Sequence, residues 1–211
     1  MNKKIEPFER YAEKYERWFE RNRFVYLSEL EAIRRHLPKT GCGLEIGVGS
    51  GRFAAPLGVK FGVEPSKSMA RIAKQRGISV VMGVTEELPF ISNYFDFALM
   101  VTTICFLNDI ESAMKEIRRV LKPEGLIIIG FIDKNSPIGK LYQRHKEDSL
   151  FYRVATFYSV KEVITYLERL HFNDFRFTQT IFKNLIDIRD IEQVVDGYGD
   201  GSFVVIVAKS K

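Results

Sequence analysis

Leu44-Glu45-Ile46-Gly47-Val48-Gly49-Ser50-Gly51 reads as a short apolar strand running into a glycine-rich turn that opens a helix. Glycine lets a chain turn sharply and approach a ligand with no Cβ in the way, and the helix that follows presents unpaired N–H groups. Working outward, apolar runs rich in β-formers recur at 61–64, 78–82, 95–101 and 126–132, and the first strand is expected over 43–48. Helical patterns fall between them at 52–57, 68–75 and 110–121. Strands alternating with helices imply βαβ units, whose connections are right-handed and whose parallel sheet is covered on both faces. A doubly wound α/β fold follows.

The flanks are different. Phe8, Tyr11, Tyr15, Trp18 and Phe19 fall at offsets of one helical face, and Tyr26, Leu30, Ile33 and Leu37 repeat that face up to Pro38. Beyond the fifth strand the alternation loosens into a helix near 138–145, an aromatic stretch at Phe151, Tyr152, Phe157 and Tyr158, and a helix over 159–170. Ser159 and Glu162 have the spacing of a capping box. Two final β-like runs, 174–182 and 202–208, are joined by a link with no strong helical pattern, which predicts antiparallel neighbours.

A chain of 211 residues and 24.4 kDa is long enough to bury one substantial core and short for two. With 45% hydrophobic and 28% charged residues it is neither disordered nor collagen-like. The net charge of +5 is spread evenly: basic residues stand against acidic ones at 10 to 7 in 1–40, 10 to 9 in 41–130 and 12 to 11 in 131–211. A nucleic-acid binder would concentrate the excess, so no nucleic-acid partner is expected. Two separated cysteines and three scattered histidines offer no metal-binding spacing, so no metal is expected. No apolar run approaches the roughly 20 residues of a membrane span, and the first residues lack a signal-peptide core, so the reading is cytoplasmic.

Glu64 ends the second strand 17 residues after Gly47, where a βαβ unit places a carboxylate beside a ligand held on the glycine turn. A carboxylate there accepts both hydroxyls of a ribose. The nicotinamide fingerprint is G-x-G-x-x-G/A, whereas these glycines run G-x-G-x-G with Arg52 following. Three further stretches are informative in order: Gly62-Val63-Glu64-Pro65-Ser66, Gly83-Val84-Thr85-Glu86-Glu87-Leu88-Pro89-Phe90 and Arg119-Val120-Leu121-Lys122-Pro123-Glu124-Gly125.

Together with Glu45-x-Gly47-x-Gly49-x-Gly51, these motifs resemble those of the class I S-adenosylmethionine-dependent methyltransferases, in the small-molecule branch related to quinone-biosynthesis enzymes. The resemblance implies S-adenosylmethionine as cofactor. It implies a site built from Glu45, Gly47, Gly49 and Gly51, with Gly47 and Gly49 bordering the methionine part, Glu64 on the ribose diol, Pro65 beside adenine, and Val84 with Thr85 at the adenine edge. Val84 departs from the family pattern, which often has Asp there to meet the adenine amino group. Thr102 lies just beyond the fourth strand, at the carboxyl end where ligands sit in such sheets.

A Rossmann-like sheet of seven strands in the order 3-2-1-4-5-7-6 is expected, with strand 7 antiparallel. The chain is expected to form one methyltransferase domain, with residues 1–38 as a helical lid, 39–133 as the cofactor half and 134–211 as the substrate half. Family members use such a lid over the cofactor, so Tyr11 or Tyr15 is expected to face the reacting centre, with Tyr152 and Phe157 across the pocket. The expected activity is methyl transfer to a small, partly apolar or aromatic acceptor. The alternatives are a protein or nucleic-acid methyltransferase on the same fold, or a cofactor-binding regulator without catalysis.

Overall fold

The computed structural model describes residues 2–211. Helices α1 (Glu6–Arg10), α2 (Ala12–Arg21) and α3 (Arg23–Arg34) come first. The alternating part follows as β1 (Gly43–Ile46), α4 (Ala54–Leu57), β2 (Phe61–Glu64), α5 (Lys67–Gln75), β3 (Ser79–Met82), β4 (Phe95–Val101), α6 (Ile110–Val120) and β5 (Leu121–Ile132). Helices α7 (Pro137–Arg144) and α8 (Val160–Arg169) precede β6 (Phe172–Thr180), β7 (Val195–Asp196) and β8 (Phe203–Ser210).

The strands form one sheet in the order β3-β2-β1-β4-β5-β8-β6-β7. Strands β1 to β5 pair in parallel, and β8 runs antiparallel to both β5 and β6. The order over the long strands is the expected one, with β8 in the role of the seventh strand. The count is corrected from seven to eight: within the link between the last two long strands, Val195 and Asp196 fold back onto Gln179 and Thr178. Two residues bounded by Gly197 are too few to show a strand period in the sequence.

Residues alternate sides along the central strands, so each face of the sheet has its own core. On one face Ile127, Ile129, Val204 and Ile206 pack beneath α6 and α8, through Met114, Ile117, Val163 and Leu167. On the other, Leu99, Ile128, Val205 and Val207 pack beneath α3, α5 and α7, through Ile33, Ala70 and Ile138. The helices begin where side chains can cap them: Ser66 accepts from the Met69 amide, Asp109 from Glu111 and Ser112, and Ser136 from Gly139. The capping box of Ser159 and Glu162 forms, and Lys134 pairs with the same carboxyl, which lies low at about 2. Each cap contributes about 1 kcal/mol by satisfying amides the helix leaves open.

Several boundaries move for identifiable reasons. Strand β1 stops at Ile46 because Gly47 turns left-handed at φ 63°. Helix α4 is one turn long, since Gly58, left-handed at φ 74°, closes it. Strand β5 begins five residues early, in a bulged stretch where Glu124 adopts φ 65°, and Ile181 ends β6 in the same conformation. The N-terminal stripe is broken at Tyr11 and Asn22 into three helices rather than one continuous face.

Candidate active site

The carboxyl ends of β1, β2 and β4 open into a cavity of about 450 Å³, inside the range of about 300–1,000 Å³ typical of small-molecule sites. Its floor is the glycine turn. At Gly47 the backbone is left-handed and presses against Thr103: a Cβ there would lie 2.4 Å from Thr103 Cγ2. The Thr103 hydroxyl donates to the Gly47 carbonyl at 3.2 Å and to Val101 at 3.0 Å, so the turn is braced from the end of β4. Gly49 faces the open side, where a Cβ would meet nothing nearer than Met69 at 3.5 Å and the Tyr15 hydroxyl at 3.8 Å. A side chain at Gly49 would therefore stand in ligand space.

Glu64 joins the turn to the end of β2. Its carboxylate accepts from the Gly49 amide at 2.9 Å and from the Ser66 amide at 2.8 Å. Only 6% exposed, the carboxyl is pushed by burial up to about 7 from an ordinary 4.5, against the pull of those two amides. Pro65, Val84, Thr85 and Thr102 share the cavity wall with it. Thr102 has φ 50°, a conformation that costs a β-branched residue about 1–3 kcal/mol and persists where surrounding structure holds it.

Two expected residues lie beneath the cavity rather than on its wall. Glu45 is buried behind the turn, where burial and the nearby Glu64 raise its carboxyl well above the usual range, and its Oε2 has no partner. Gly51 packs against Ala73 of α5, and its amide donates to Val48, which closes the turn.

The roof comes from the N-terminal helices. Phe8 meets Phe106 edge-on at 4.9 Å and Phe151 at 5.2 Å, and Tyr15 meets Phe151 at 5.9 Å. Polar ties hold this roof down. Glu9 accepts from Ser66 and Ser68 at the start of α5, and Glu16 pairs with Arg52 and Arg76 beside the glycine turn. On the far side, Tyr142 of α7 stacks on Tyr152 at 4.9 Å, and Tyr152 on Phe106 at 6.0 Å.

Of the aromatic expectations, Tyr15 and Tyr152 line the cavity. Tyr11 does not: the break between α1 and α2 falls on it and leaves it 44% exposed on the surface, so a pocket role for Tyr11 is withdrawn. Phe157 stands behind Tyr152, 5.7 Å away, lining a small separate space with Cys105. Sequence reasoning missed Thr103 as a brace, Phe8 and Trp18 as cavity lining, and Glu29. Glu29 gave no signal, being one acid among seven in the first forty residues.

A doubly wound sheet with a glycine turn, a carboxylate at the end of β2 and an enclosed cavity above defines a nucleoside-cofactor site. The comparisons state which kind. A family model described as a methyltransferase domain matches residues 44–129. A Thermotoga maritima crystal structure, described as a SAM-dependent methyltransferase and possible histamine N-methyltransferase, is 49% identical, with a TM-score of 0.95 over 98% of this chain and 99% of that one. An uncharacterised Methanocaldococcus jannaschii protein, MJ1123, is 50% identical over 96% of this chain and 98% of its own length. The 2-phytyl-1,4-naphtoquinone methyltransferase of Trichormus variabilis is 32% identical over 59% of this chain and 61% of its own. The chain belongs to the S-adenosylmethionine-dependent methyltransferases.

Among the described residues no helix is long and apolar enough to cross a membrane.

Proposed function

We propose that the protein transfers the methyl group of S-adenosylmethionine to a small, partly aromatic acceptor bound between the N-terminal helices and the segment 136–158. The observation that carries this reading is the continuity of one cavity, from Gly49 and Glu64 at one end to Tyr142 and Tyr152 at the other. Two relatives carry names whose acceptors, histamine and a naphthoquinone, contain rings. The residues fit the cofactor: Gly49 leaves room at the turn, and Glu64 turns its carboxylate to the cavity wall.

When bound, the cofactor supplies a methyl group on a positively charged sulfur, open to in-line attack. The chain's own residues then do three things. Glu64 accepts the ribose hydroxyls; Pro65, Val84 and Thr85 enclose the adenine; and the roof of Phe8, Tyr15 and Phe151 excludes water and aligns the acceptor. Alignment alone can supply about 7–11 kcal/mol of the barrier, so no dedicated base is required. Residues 1–38 act as a lid over the cofactor half, 39–133, and the acceptor side belongs to 134–211.

The test is turnover with labelled cofactor and metabolite extracts. Labelled small-molecule product supports the reading; cofactor binding with no product, or label only in protein or nucleic acid, overturns it. Tyr152→Ala should lower kcat/KM by about 10–100-fold through lost alignment while cofactor affinity holds. Phe157→Ala, one layer further out, should cost less. Parallel loss of thermal stability, cofactor affinity and activity in Tyr152→Ala would make the aromatic cluster structural.

A pH dependence follows from Glu64. A protonated carboxyl offers the two hydroxyls no charged acceptor, and burial raises the Glu64 carboxyl to about 7. Cofactor affinity should therefore rise by about tenfold per pH unit below 7 and level off above it. Stability of the cofactor-free protein runs the other way. A native state that keeps this proton longer than the unfolded chain is favoured below pH 4.5 and loses that contribution as pH rises through about 7. Titration calorimetry from pH 5.5 to 8.5 checks the binding limb, and a flat profile would remove Glu64 from the cofactor.

A further inference from the structure

Glu29 is a feature of the cavity that methyl transfer does not account for. It lies mid-way along α3 on the cavity wall and is 4% exposed. Its neighbours on the same helix, Val25, Leu30, Ala32 and Ile33, are core residues. Among the described residues its carboxyl accepts no hydrogen bond and meets no cation. Burial without compensation pushes it up to about 8, and no neighbouring group pulls it back. An acid so placed costs stability unless something answers it, because a buried charge or polar group needs a partner. The core positions beside it show that an apolar residue would pack here.

Glu29 shares the wall of one cavity with Tyr142 and Tyr152. Burial above all raises the hydroxyls of Tyr142 and Tyr152, and the nearby Glu29 carboxyl adds to both. Both tyrosines stand on the acceptor side, over the ends of β4 and β5. Tyr15, which bridges the two ends, feels Glu45 and Glu64 more strongly than Glu29. A carboxylate without a partner in a cavity lined by tyrosines is an arrangement that binds an organic cation. The charge supplies an ion pair with hydrogen bonds, and aromatic faces attract the same cation by their quadrupoles.

We propose that Glu29 selects the methyl acceptor as a small aromatic amine, pairing with its ammonium group while the stacked Tyr142 and Tyr152 hold its ring. This deepens the methyl-transfer reading and rests on it. An ammonium would answer this carboxyl, and a neutral ring of the same shape would leave it unanswered. Discrimination by such a buried group is stronger than discrimination by shape. Glu29 is thereby a binding residue for the acceptor, with no covalent step assigned to it.

The test uses the full chain saturated with S-adenosylhomocysteine and two probes of equal size, 2-phenylethylamine and 2-phenylethanol, titrated by calorimetry. The unaltered protein should bind the amine about tenfold or more tighter than the alcohol. Glu29→Gln, which keeps the shape and removes the charge, should lose that preference, with affinity for S-adenosylhomocysteine unchanged. Its melting temperature should not fall, since a buried unpaired acid is removed. Should Glu29→Gln fail to fold, Glu29→Asp carries the test: it retains the charge and should keep the preference at reduced affinity.

Equal binding of amine and alcohol, no binding of the amine, or a preference that survives in Glu29→Gln would overturn the proposal and leave methyl transfer standing. Parallel loss of S-adenosylhomocysteine affinity in Glu29→Gln would assign the residue to the cofactor's own ammonium, which also overturns it. Failure of the unaltered protein to bind S-adenosylhomocysteine would sink both readings.

Discussion

Gly47→Ala should weaken cofactor binding severely and destabilise the fold. The backbone at Gly47 is left-handed at φ 63°, which costs a residue with a Cβ about 1–2 kcal/mol. The new methyl would also fall 2.4 Å from Thr103 Cγ2 and 2.7 Å from its Oγ1, closer than carbon atoms pack. Overpacking of this kind costs about 1–3 kcal/mol, and relief requires the turn to lift or Thr103 to swing away. Either movement breaks the hydrogen bond from Thr103 to the Gly47 carbonyl and displaces the Gly49 amide from Glu64. A loss of affinity of about a hundredfold or more, near 2.7 kcal/mol, is expected by calorimetry, with a lowered denaturation midpoint. The double variant Gly47→Ala, Thr103→Ser, which removes the obstructing methyl, should recover part of both. Undiminished binding in Gly47→Ala would show that the turn does not carry the cofactor.

Glu64→Gln is the second large effect, and it removes the charge at nearly constant volume. The amide side chain accepts through one oxygen only, so one of the Gly49 and Ser66 amides loses its partner, while the fold should survive. Hydrogen bonds to a charged acceptor contribute about 1.5–3 kcal/mol, so the affinity for S-adenosylmethionine should fall by roughly ten- to a hundredfold. The same variant should flatten the rise of affinity with pH, because the titrating group is gone. It should also remove the decline in stability of the cofactor-free protein between pH 4.5 and about 7 that the raised carboxyl imposes. Unchanged affinity with an intact fold would take Glu64 out of the site.

Both variants act on residues legible without coordinates. A strand, a glycine turn and an acid at the end of the next strand are local features, set by backbone conformation and by spacing within one βαβ unit. Their arrangement follows once the parallel, right-handed connection is granted. The same holds for the alternation of strands and helices, the capping box at Ser159, and the antiparallel return of the last long strand. Each rests on contacts between residues near one another in the chain, or on a period that repeats within one element.

The proposed acceptor side was legible only as a surplus of aromatic residues. Whether an aromatic faces ligand or core depends on elements far apart in sequence. Phe8 and Phe151 meet across the roof, and Tyr142 and Tyr152 stack from different elements. A helical period predicts one face for Tyr11 and Tyr15, but a break at Tyr11 turns one residue outward and leaves the other over Gly49. Thr103 matters because it lies under Gly47, and Phe157 matters less because Tyr152 stands in front of it.

Glu29 states the difference most sharply. In sequence it is an acid in a mixed-charge helix, equivalent to Glu31 two residues on. That neighbour pairs with Arg34 at the surface, whereas the Glu29 carboxyl is enclosed without a partner. Sequence alone therefore determined the fold class, the cofactor and the glycine turn with its acid at the end of β2, because those depend on local backbone geometry. Tertiary structure alone decided which side chains line the rest of the cavity, because burial and the lack of a partner are properties of the whole packed chain.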